Sequence, residues 1–209
     1  MILLVVAMND EAKDICVKLN QVNQAPFVIY EGKLAGKDVA LIISGIGKSN
    51  AAAATVYGLL KYPVTSLIIN LGIAGGYHVK VHETYVVNQA TYNDVDVTAF
   101  NYDFGQVPKF PTHFLTSQYI LSKLDFIKQE KLYSMDSFST KVMFNNAYLA
   151  DMEATAVYQI AYLFQKQVLS LKVVSDLIGE TDQIKAYKTS KESLSVVLYK
   201  GLIKVLEVL

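Results

Sequence analysis

The chain has 209 residues, 52% of them hydrophobic, and its 19 basic and 19 acidic residues cancel. That length suits one α/β domain with a sizeable core, and the absence of net charge excludes a broad electrostatic pull toward nucleic acid or membrane. All the basic residues are lysine, so the planar fork with which arginine grips phosphate is missing throughout. In chain order, residues 2–7 read as an apolar strand; the run is too short, and lacks the basic leader, for a signal peptide. Asn9 is placed to cap a helix reaching about residue 20. That helix holds the one cysteine, Cys16, which has no intrachain disulfide partner and reads as a small core residue. Strands at 27–34 and 39–44 are joined by a turn at 35–38. An Ala-rich helix at 49–60, a buried strand at 66–71, a glycine-rich loop at 72–76 and a strand at 83–90 follow.

Residues 92–111 carry little regular pattern but hold Phe100, Tyr102, Phe104 and Phe110. Long loops in compact domains tend to be functional, and so many aromatics call for cover by a partner subunit or a ligand. A helix at 117–128 and a strand at 131–135 come next. A helix then opens at Asp151-Met152-Glu153 and buries the face of Val157, Ile160, Ala161 and Phe164. A strand at 168–174 and a terminal helix at 184–206 complete the chain. No apolar run is long enough to cross a bilayer, and the setting expected is reducing and cytoplasmic. The alternation of strands and helices predicts an α/β fold, a single domain over 1–209 with a central mixed twisted sheet flanked by helices.

Several motifs begin well and fail. Gly45-Ile46-Gly47 after a strand starts like a dinucleotide fingerprint, but Asn50 stands at the third glycine. Gly47-Lys48-Ser49 is the tail of a P-loop whose first glycine would fall at Ile42. His78 and His82 have no evident third ligand and read as surface histidines. No metal and no cofactor is expected. What survives is a set of carboxylates placed after strands: Glu11, Glu153 and Asp176. Open α/β sheets build their sites at the carboxyl ends of strands, and separated acids suit a glycosyl transfer that passes through an oxocarbenium-like state. Each acid taken alone also fits ordinary helix capping.

At these residues the chain resembles the methylthioadenosine/S-adenosylhomocysteine nucleosidases of the nucleoside phosphorylase superfamily. The resemblance covers nearly the whole length. It is densest at Ala7-Met8-Asn9-Asp10-Glu11, Ser44-Gly45-Ile46-Gly47-Lys48, Asn70-Leu71-Gly72-Ile73-Ala74-Gly75-Gly76, Asp94 to Phe100 with Gly105 to Pro108, Met152-Glu153-Ala154-Thr155-Ala156, and Ser175-Asp176. The resemblance implies a nucleoside phosphorylase-like fold that hydrolyses 5′-thio-substituted adenosines to adenine and a thioribose. A phosphorylase of the same superfamily is the runner-up, and a catalytically weakened nucleoside-binding protein the reading from another class.

By the resemblance, Glu11 would activate water and Asp176 would hold and protonate the adenine, with Ser175 fixing its carboxyl. Glu153 and Met152 would hold the ribose, Phe138 would stack on the base and the Ser139 backbone would read its edge. Met8, Ile46, Ala74, Gly75, Lys172 and Tyr187 would complete the substrate site. Phe100 and Pro108 would reach into the neighbouring subunit's pocket of a homodimer. The chain departs from the family at Ile73, where a serine is usual, at Lys172, where an arginine is usual, and at Ser139, where the position is usually apolar. Its segment between Phe138 and Glu153 is also shorter.

Overall fold

The computed structural model describes residues 1–190 and 193–209. Strand β1 (Ile2–Val6) is the apolar run ILLVV, buried at every position. It lies between two parallel neighbours, which accounts for its lack of alternation. Helix α1 (Asn9–Cys16) stops short of the expected end at residue 20, and β2 (Asn20–Asn23) takes over. The apolar periodicity ends at the buried Ile15, Val17 is exposed, and the polar β2 is an edge strand with no buried face to announce it. Strands β3 (Val28–Leu34) and β4 (Lys37–Ile43) and helix α2 (Lys48–Lys61) lie close to their predicted places.

Strand β5 (Leu67–Tyr77) runs straight through the stretch expected to be a glycine-rich loop. Glycine weakens a strand on propensity alone, but close neighbours exclude a side chain here. A Cβ on Gly76 would lie 2.2 Å from Val79 Cγ2, and one on Gly72 would lie 2.9 Å from Glu11 Oε1. Strand β6 (Thr84–Tyr92) precedes the long irregular segment, which holds one 3-10 turn at Thr98–Phe100. After the short β7 (Phe114–Leu115), helix α3 (Gln118–Lys123) is half its predicted length and β8 (Lys128–Ser134) begins earlier. Strand β9 (Tyr148–Asp151), helix α4 (Ala154–Leu163) and strand β10 (Gln167–Leu177) follow. The predicted terminal helix is two, α5 (Gln183–Ser190) and α6 (Leu194–Val208); residues 191 and 192 lie outside the described residues.

The strands make one ten-stranded mixed sheet. β1 lies parallel to both β4 and β5, and β10 lies parallel to β5. Part of this sheet closes on itself: β5 pairs β9, β9 pairs β8, β8 pairs β6, β6 pairs β10, and β10 returns to β5. Helices α1, α3 and α6 cover one face through Ile15, Ile120 and Leu202, while α2 and α4 cover the other through Ala54 and Val157. Because β1, β5 and β10 run the same way, their carboxyl ends bring residues 7–11, 73–75 and 175–176 to one place. Register adds β9, with Ala150 opposite Gly75.

Candidate active site

The parallel pairing of β10 with β5 breaks once. Val174 sits opposite Ala74 and Asp176 opposite Gly75, leaving Ser175 as an extra residue. A bulge of this kind re-aims the side chain that follows it. Asp176 is fully buried, and a Cβ on its neighbour Gly75 would lie only 3.2 Å from Asp176 Oδ2, so glycine clears the approach to the carboxyl. Ser175 Oγ donates to Asp176 Oδ1, and Gln183 Nε2 donates to Asp176 Oδ2 at 2.8 Å. Burial raises the Asp176 carboxyl above its ordinary value, against these two hydrogen bonds.

Glu11 comes from the first turn of α1. Its Oε1 accepts from the Ile73 N–H at 2.8 Å and its Oε2 from the Met8 N–H at 3.1 Å. Burial pushes its pKa up, while Lys172 and the two N–H groups work the other way. Glu153 forms the N-cap of α4, and its Oε1 accepts from the Gly47 N–H at 2.9 Å. Burial, then the nearby Asp151 charge, raise Glu153 to about 7.

Beside these acids lies a buried ion pair, Lys172 Nζ to Asp151 Oδ2 at 2.9 Å, of which Asp151 lines the cavity. Asp151 also accepts from Ser134 Oγ at 2.6 Å and from the Ala154 N–H at 2.9 Å. Burial opposes the Lys172 charge, yet Asp151, Glu153 and Glu11 outweigh it and its pKa ends above the ordinary lysine value. Three carboxyls thus surround one ammonium. A second lysine, Lys48, is held outside the cavity by Asp94 at 2.6 Å and Asp136 at 3.6 Å.

A cavity of ≈ 90 Å³ joins these groups. Met8, Glu11, Ile46, Ala74, Gly75, Phe138, Met152, Glu153, Ser175, Asp176 and Tyr187 all line it. Ser139 lines an adjoining space of ≈ 40 Å³ that shares Phe138 and Asp176. The Phe138 ring meets Tyr187 edge-on, with centroids 5.3 Å apart. Lys172 does not face the cavity; it supports the acids from behind. Phe100 and Pro108 are exposed and line neither space. His78 and His82 lie exposed in the turn after β5. Sequence reading missed Gln183 and the Asp151–Lys172 pair. Gln183 carries no motif at all, and the pair joins residues of β9 and β10 that only the folded sheet brings together.

The sequence profile described as the phosphorylase superfamily matches residues 1–202. The chain is similar to the 5′-methylthioadenosine/S-adenosylhomocysteine nucleosidase of Staphylococcus haemolyticus, at 35% identity over 99% of this chain and 100% of the relative. It is also similar to the protein of that name from Bacillus thuringiensis subsp. konkukian, at 32% identity over 85% of this chain and 86% of the relative. Among solved structures it is similar to the Neisseria meningitidis nucleosidase of that name in complex with methylthio-immucillin-A, with a TM-score of 0.91 and 26% identity over 100% of this chain and 99% of the other. A Borrelia burgdorferi chain bound to adenine gives a TM-score of 0.93 and 27% identity, each chain covered in full.

Proposed function

This chain belongs to the 5′-methylthioadenosine/S-adenosylhomocysteine nucleosidases of the phosphorylase superfamily, and from that premise we propose that it hydrolyses the N-glycosidic bond of 5′-thio-substituted adenosines. One observation carries the reading to this chain: Glu11, Glu153 and Asp176 meet at a single cavity. In the reaction the bond between the sugar's anomeric carbon and the base nitrogen breaks, and its electron pair goes to the base. Asp176, whose protonated form burial favours, supplies a proton to the adenine N7. A protonated carboxyl offers one donor and one acceptor to the N6/N7 edge of adenine, which presents the complementary pair. A 6-oxopurine would leave one contact unsatisfied. Water adds its oxygen to the anomeric carbon and gives a proton to Glu11. Adenine and a 5-thioribose leave, with one water consumed. Glu153 accepts from the ribose hydroxyls, Met152 packs on the sugar, Phe138 stacks on the base, and negative charge at Glu11 and Glu153 suits the cationic sugar of the transition state.

Water is favoured over phosphate as nucleophile because neither lysine near the site is free to hold a dianion. Lys172 is committed to Asp151 and Lys48 to Asp94. The neighbouring acids offer a dianion no positive partner and, where ionised, repel it. The test is product analysis with methylthioadenosine, with and without phosphate. Free thioribose at a phosphate-independent rate is expected, and Glu11→Gln and Asp176→Asn should each lower kcat about a hundredfold. Sugar 1-phosphate formed at a rate that climbs with phosphate would promote the phosphorylase instead.

The working unit in this reading is a homodimer in which the partner supplies Phe100 and Pro108 to the pocket. Phe100 is 76% exposed and Phe104 50% exposed. Phe110 contacts Tyr162, with centroids 6.0 Å apart, tying this segment to the exposed Tyr162, Leu163 and Phe164 at the end of α4. An apolar surface of that kind marks an association site. The lone Cys16 fits a reducing, cytoplasmic setting.

A further inference from the structure

Gln183, the first residue of α5, is only 3% exposed. Its Nε2 donates to the Ser139 carbonyl at 2.7 Å and to Asp176 Oδ2 at 2.8 Å, and its Oε1 accepts from the Gly179 N–H at 3.3 Å. The carboxamide NH₂ thus places its two hydrogens on two acceptors at the base end of the cavity. The exocyclic amine of a 6-aminopurine is also an NH₂ with two hydrogens; the base-site reading above has it donate to Asp176, with the Ser139 backbone along the same edge of the base. Both groups cannot occupy one position. The size of the spaces leads to the same point: ≈ 90 Å³ and ≈ 40 Å³ lie side by side around Phe138 and Asp176. Small-molecule sites hold roughly 300–1,000 Å³, and with Gln183 in place these two spaces fall well short of that. Gln183 and Tyr187, which meets Phe138 across the cavity, both ride on α5.

We propose that the Gln183 carboxamide stands in for the exocyclic amine of the base, holding the empty site closed between Ser139 and Asp176, and that it withdraws with α5 when a 6-aminopurine binds. The inference rests on the base-site reading above. Affinity is then scaled by the fraction of molecules in which Gln183 has swung away. Removing its two hydrogen bonds raises that fraction, so adenine should bind about tenfold more tightly, as two such bonds of ordinary strength imply. The gain should lie in the association rate, because the bound state no longer contains the contact.

The test is adenine binding to wild type, Gln183→Ala and Gln183→Met by calorimetry, with association and release followed by stopped flow. Methionine keeps length and volume without a donor, so it serves where alanine loosens α5. Tighter binding through faster association in either folded variant is expected. If wild type binds adenine and the folded variants bind it equally well, the stand-in role is wrong while the base site survives. Weaker binding through faster release would mean that Gln183 touches the bound base, which also overturns the proposal. If neither wild type nor variants bind adenine, the base-site reading fails and this inference fails with it.

Discussion

Glu153 is an acid kept from water by α4 and the loop before α2, and burial moves its pKa from 4.5 to about 7. A carboxyl whose pKa is higher in the folded state binds its proton more tightly there than in the unfolded chain. The stability it contributes is therefore present below pH 4.5 and lost as pH rises through about 7. A rise of that size corresponds to about 3 kcal/mol. Glu11 and Asp176 are displaced in the same direction and add to the slope. Glu153→Gln should therefore flatten the decline of stability across this window and be more stable than wild type above pH 7, read from urea unfolding at a series of pH values. Parallel curves for the two proteins would mean that Glu153 is solvated in the empty site. The three acids were legible as residue types placed after strands. That they would share one site at the strands' carboxyl ends was legible too; the pairing of Lys172 with Asp151 was not, because it depends on two strands that only the folded sheet brings together.

At the scale of elements, β5 is where pattern and packing disagreed. Its apolar half, residues 67–71, was readable; its glycine half was not, because glycine signals turns more often than strands. Those glycines sit where charged groups and apolar side chains press against the backbone. At Gly72 an added Cβ would lie 2.9 Å from Glu11 Oε1 and 3.3 Å from Lys172 Nζ. Gly72→Ala should push the Glu11 carboxylate off the Ile73 N–H and lower kcat by about tenfold or more, as misplacement of a catalytic group does. The fold should persist, so circular dichroism and turnover together give the check; an unimpaired rate would separate Glu11 from the chemistry. The early strands and helices were legible because apolar runs and alanine-rich periodicity have one reading. Strand β2 was not, since four polar residues on a sheet edge carry no pattern, and α1 was overextended for the same reason.

For the whole molecule, the dimer proposed above rests on the exposed Phe100 and Phe104. Sedimentation at micromolar concentration should give a dimer, and Phe100→Ser should weaken both assembly and activity. A fully active monomer would return the segment to a role within its own chain. The closed ring of β5, β9, β8, β6 and β10 has another consequence. A ring has no edge between its members, so strand separation cannot admit a ligand without breaking the core. Of the segments outside the ring, residues 135–147 and 178–190 border the base end of the cavity and are the ones expected to part. Amide hydrogen exchange should divide along that line: adenine should slow exchange in those two segments. The ring amides at 68–71 and 168–174 should exchange only as fast as the whole chain unfolds, ligand or none. Fast exchange along β5 in the empty protein would place the doorway in the sheet itself.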